Sequence, residues 1–160
     1  MAVLVLGIGN LLLSDEGLGV HAVRALERDW VLPADVEVVD GGTAGMELLD
    51  LMAGREHVVV IDAVKAEGPP GCVLVLRDEA VGAYFRGPIS PHQLGLSDVL
   101  AALALCEQTP RGLTLVGVVP ASLETGLALS EPVREALPRA LAEVVAELRR
   151  LGREPVHRAA

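Results

Sequence analysis

The stretch "GIGNLLLSDEGLG", residues 7–19, follows the apolar run Ala2–Leu6 and decides how the chain begins. Glycines placed directly after a buried strand let the backbone turn sharply into a helix, and such turns commonly cradle a phosphate. Here the turn runs into Asp15 and Glu16 instead. The dinucleotide pattern fails, because Gly7-x-Gly9-x-x calls for Gly or Ala next and Leu12 stands there. No GKS or GKT follows, so the phosphate loop of nucleotide hydrolases is absent too. Two carboxylates would repel a phosphate but suit a cation. Ser14 is placed to cap the following helix, whose positive dipole end keeps Asp15 and Glu16 ionised in its first turn. Acidic residues in a first turn are also ordinary helix-start chemistry, and both readings fit these residues.

Working outward, strand-like and helix-like segments alternate. Ala2–Leu6 predicts a buried strand, and Glu16 to about Trp30 a helix with Leu18, Ala22, Ala25 and Leu26 along one side. Val36–Val39 and Val58–Ile61 predict two further strands, with a short helix over Ala44–Met52 between them. "AEGPPG" at 66–71 is a turn before a fourth strand at 72–76. The stretch 77–93, with Pro88 and Pro91, reads as irregular. A helix from about Gly95 to Cys106, a fifth strand over Leu113–Val119 and a last helix from Glu131 to Leu151, with a kink or restart expected at Pro138, complete the pattern. The expected fold is a single α/β domain over residues 1–152: three layers, a twisted, mostly parallel five-stranded sheet and helices on both faces. The link between the third and fourth strands is too short for a helical crossover, so one strand is expected to be antiparallel. Residues 153–160 are expected to be a frayed tail.

Composition narrows the function. Hydrophobic residues make up 51% of 160 and aromatics 2%, so Val, Leu, Ile and Ala must fill the core. With 22 acidic residues against 13 basic, the net charge of −9 disfavours a nucleic-acid partner. No signal-peptide core or membrane-spanning stretch is apparent, and the expected location is cytoplasmic. Cys72 and Cys106 form no CxxC pair and read as buried, reduced thiols.

In open α/β sheets the working crevice lies beyond the carboxyl ends of the strands. Glu16, Asp40, Asp62 and His92 fall at that end of the predicted elements. Carboxylates with an imidazole make a mixed oxygen and nitrogen set suited to a borderline divalent ion. Each has a plainer reading: Asp40 in "VVDGGTAG" and Asp62 as turn caps, and His92 as a loop histidine. His21, His57, His157 and Glu124 have no spacing argument. No GxSxG, HExxH or paired CxxC motif is present.

Five segments resemble one family, the endopeptidases that mature nickel–iron hydrogenases. They are "LVLGIGNLLLSDEGLGVHAV" at 4–23, "VVDGGTAGMELL" at 38–49, "VVVIDAV" at 58–64, "SPHQLGLSDVL" at 90–100 and "GVVPASLETGLALSEPV" at 117–133. The resemblance implies a twisted sheet between helices, and removal of a C-terminal extension from the hydrogenase large-subunit precursor after nickel insertion. It implies Glu16, Asp62 and His92 as the metal-contacting residues, and Asp40 as a contributor to catalysis or site shape. Nickel would be carried by the precursor, held by its cysteine thiolates, rather than permanently bound, and the enzyme would act as a monomer. The peptidase would be of aspartyl or metal-dependent type. The segment "GVVP" departs from the "GIQP"-like form of many relatives, which bears on which hydrogenase is served. A non-enzymatic nickel chaperone or ligand-binding module on the same fold is the competing expectation.

Overall fold

Val3 and Val5 face one side of the first strand and Leu4 and Leu6 the other, and all four are fully buried. A strand buried on both faces needs a helix layer above and below it. The computed structural model, which describes residues 2–86 and 94–158, has that arrangement. Its elements are β1 (Val3–Ile8), α1 (Leu18–Asp29), β2 (Trp30–Val31), β3 (Val36–Gly42), α2 (Leu48–Met52), β4 (His57–Ala63), β5 (Val73–Arg77), α3 (Glu79–Arg86), α4 (Leu94–Leu105), β6 (Gly112–Val118), α5 (Glu131–Arg150) and β7 (Val156–His157). The main sheet has the order β3-β1-β4-β6-β5. Its first four strands are parallel, and β5 runs antiparallel to β6. The expected reversal is present, but its partner is β6, which lies between β4 and β5.

On one face, Leu18, Ala22 and Leu26 of α1 pack with Val133, Ala136, Ala140, Val144 and Leu148 of α5 over Val5, Val59, Ile61 and Val116. On the other, Leu48, Met52, Val81, Phe85, Val99 and Leu103 from α2, α3 and α4 cover Leu4, Leu6, Val58, Val60 and Leu115. Burying each such branched side chain stabilises the fold by roughly 1.5–3 kcal/mol. The first helix lies unusually close to the sheet because it carries Gly19. A β-carbon there would sit 2.2 Å from the Ile61 carbonyl oxygen and 2.4 Å from that of Ile8.

Several local expectations are corrected. The stretch read as irregular contains α3, because Val81 and Phe85, four apart, bury on one face. Asp78 opens α3: its carbonyl accepts from the Val81 and Gly82 amides, and its Oδ1 accepts from the Leu113 amide at 3.0 Å. The remainder of that stretch, residues 87–93 with His92, lies outside the described residues. The last helix runs unbroken through Pro138. The expected fraying does not hold for residues 153–158. There β7 pairs antiparallel with β2, Pro155 is buried, and Arg153 forms ion pairs with Asp35 and Glu56. Cys72 is half-buried and Cys106 exposed, both free, so the expectation of two buried thiols is overturned.

Candidate active site

The first strand delivers Gly9 to the carboxyl end of the sheet with φ +129°, a conformation that a side chain would strain. A β-carbon on Gly9 would also lie 1.8 Å from the Glu16 carbonyl oxygen and 3.8 Å from Asp62 Oδ1. The missing side chain thus lets the β1 terminus sit directly under the Glu16 backbone. A 3-10 turn at Ser14–Gly17 then leads into α1. Ser14 is not the cap the sequence suggests. Its φ is +52°, and its hydroxyl donates to the Glu124 carbonyl at 2.6 Å.

The two adjacent carboxylates part company. Glu16, 4% exposed, and Asp62, 1% exposed at the end of β4, line the same cavity of about 360 Å³. Its walls come from Ile8–Asn10 at the end of β1, Gly42–Gly45 at the end of β3, and Leu48 and Leu96 of α2 and α4. Two residues far apart in the chain therefore line one cavity at the predicted end of the sheet. Among the described residues no three His, Cys, Asp or Glu side chains gather to hold a metal ion. His92 precedes cavity-lining Leu96 in the chain but lies outside the described residues.

Asp15 does not line that cavity. It is fully buried, and its Oδ2 accepts from the Ala121 amide at 2.8 Å, the Ser122 amide at 3.0 Å and the Ser130 hydroxyl at 2.7 Å. Its Oδ1 accepts from the Ser130 amide at 2.7 Å. Burial pushes this carboxyl up, but the Ser130, Ser122 and Ala121 donors outweigh it and hold it below the ordinary carboxylate value. Asp40 stands on the outer edge strand. Its Oδ1 accepts from the Gly42 amide at 3.0 Å, an Asx-type turn, and its Oδ2 lies 3.7 Å from the exposed Arg24 guanidinium. It lines a shallower cleft with Gly9, Asn10 and Thr43 beside the cavity.

Sequence reasoning missed a further buried carboxylate, Glu147, at the opposite end of the sheet. Arg77, Arg150 and the Thr114 hydroxyl all donate to it, the last at 2.6 Å. Burial pushes it up, yet these donors hold it well below the usual carboxylate range. Thr114 spends its one proton on Glu147, so His57 Nε2, 2.7 Å away, must donate to Thr114. Burial keeps the His57 imidazole below its ordinary value despite the nearby Glu147. The only local signal was a glutamate on the apolar face of α5, between Val144 and Leu148.

A family model described as hydrogenase maturation protease matches residues 20–147, most of the chain. The chain belongs to the hydrogenase maturation protease family. It is 52% identical to the hydrogenase 2 maturation protease of Escherichia coli (strain K12), over all of this chain and 98% of that one. The structure of the hydrogenase maturating endopeptidase HybD from E. coli superposes with a TM-score of 0.94, covering 99% of this chain and 98% of that one at 52% identity. The [NiFe] hydrogenase maturation protease HybD from Thermococcus kodakarensis superposes with a TM-score of 0.76 at 30% identity, over 92% and 99% of the two chains. As a hydrogenase maturation protease, the molecule is an endopeptidase on the mixed α/β fold of these relatives. Its described helices include none long and apolar enough to cross a membrane.

Proposed function

We propose that this endopeptidase removes the C-terminal extension of a nickel–iron hydrogenase large-subunit precursor in the cytoplasm, and that it reads the precursor's bound nickel through Glu16, Asp62 and His92. The observation that carries the reading is the convergence of Glu16 and Asp62 on one cavity at the carboxyl end of the sheet. Carboxylate oxygens beside an imidazole fit a borderline divalent ion already held in the substrate. Docking on that ion would fix the scissile peptide against the cavity wall and remove much of the entropic barrier to attack. Polarisation of the peptide carbonyl or of a water by the ion would add electrophilic help. Asp40 supports the site through its grip on the Gly42 amide, which shapes the Gly42–Gly45 wall.

The test is the mass of the precursor's C-terminus after incubation with the purified enzyme, with and without nickel in the precursor. Trimming is expected only with nickel, and Glu16→Gln should abolish it without unfolding the protein. Equal trimming of both precursors would defeat nickel reading. Metal transfer with no change in precursor mass would point to a chaperone instead.

A further inference from the structure

We infer that Asp15 is the positioning residue of this site: anchored from behind by the 121–130 segment, it fixes the backbone turn from which Glu16 faces the cavity. The inference rests on the nickel-reading role proposed for Glu16. The turn is short and bent. It spans four residues, its backbone bonds include the Glu16 amide to the Leu13 carbonyl at 3.2 Å and the Leu18 amide to the Asp15 carbonyl, and Ser14 sits in the left-handed region. It is braced by a segment more than a hundred positions downstream. Besides the four donors on the Asp15 carboxylate, the Asp15 amide donates to the Ser122 carbonyl at 3.2 Å. The Ser14 amide donates to the Gly126 carbonyl, and the Gly126 amide returns a bond to the Leu12 carbonyl, each at 2.8 Å.

Gly9 closes the other side of the clamp against the Glu16 carbonyl. The backbone at Glu16 is therefore held between the β1 terminus and the 121–130 segment, at a residue that lines the cavity. Asp15 itself takes no part in contacting substrate, since it is fully buried, its oxygens are occupied by protein donors, and it does not line the cavity. Three donors converge on Oδ2 and one on Oδ1, so only a carboxylate fits. An asparagine that kept its oxygen under the three donors would aim its own N–H at the Ser130 amide.

The experiment compares wild type, Glu16→Gln, Asp15→Asn and Ser130→Ala at a temperature where melting curves show each to be folded. Affinity for nickel(II) alone is measured by calorimetry, and kcat and KM by trimming of the nickel-loaded precursor. Loss of a charge-assisted buried bond network should weaken nickel binding and kcat/KM about tenfold in Asp15→Asn, with a smaller, about threefold, loss in Ser130→Ala. A purely structural role would lower the melting temperature and leave both quantities at wild-type values, which would overturn the inference. Should Asp15→Asn not fold, Ser130→Ala decides: unchanged nickel affinity and kcat/KM would overturn it. If Glu16→Gln itself binds nickel and trims normally, the nickel-reading role fails, a result separable from failure of Asp15 alone.

Discussion

Adjacent residues of the same chemical type do opposite work here. Glu16 is presented to a cavity, whereas Asp15 is consumed by backbone and hydroxyl donors. What separates them is the direction in which each leaves a single 3-10 turn, and that turn in turn depends on Gly9. Gly9→Ala is expected to abolish trimming and to lower the melting temperature. The added carbon would fall 1.8 Å from a carbonyl oxygen in a conformation already unfavourable to a side chain. Near-normal trimming would show that the turn relaxes around the extra atom. The carboxylate pair was visible in the sequence, but the division of labour was not. Every donor that holds Asp15 lies 106–115 positions away, beyond any local pattern.

Among the elements, α1 is the one whose position the site depends on most, because it begins two residues after Glu16. Its close approach to the sheet uses paired glycines: a β-carbon on Gly7 would meet the Gly19 carbonyl oxygen at 2.1 Å, just as one on Gly19 would meet Ile61. Gly19→Ala should push the helix off the sheet and cost about 1–3 kcal/mol of overpacking, read as a lower urea midpoint at unchanged slope. Strand and helix periods exposed most elements, since β1 and β4 are continuous apolar runs and α1 carries a clean apolar stripe. The shorter elements escaped. Helix α3 has two turns beside a proline-bearing segment, and the two-residue strands β2 and β7 owe their existence to each other.

Across the whole molecule, the parallel strands gather the candidate site at one end and the Glu147 cluster at the other. The reversed strand of the main sheet, β5, brings Arg77 to that second end. These groups give acid sensitivity in two stages. Folding favours neutral His57 and neutral His21, both held down by burial, while the unfolded chain protonates near its ordinary value of about 6.5. Their contribution is therefore complete above that pH and lost as the pH falls below it. Asp15 and Glu147 are depressed carboxyls, so their contribution is complete above about pH 4 and lost only on further acidification. Melting temperature measured against pH should fall in both windows, and His57→Gln should reduce the first, leaving the His21 share, while sparing the second. A variant with the wild-type slope near pH 6 would show that His57 titrates alike in both states. None of this charge arrangement was legible beforehand. It depends on which strand is reversed, and the chain alone indicated that one is, without naming its neighbour.

The clasp between β2 and β7 has a practical corollary. Trp30, the sole tryptophan of the chain, rests edge-on against His157 with ring centroids 4.9 Å apart. Its emission therefore watches the seam that ties down β7, not the cavity where a substrate would arrive. Fluorescence and circular dichroism thus interrogate different parts of the fold. Coincident traces during denaturation would mean that the seam opens in the same cooperative event as the core.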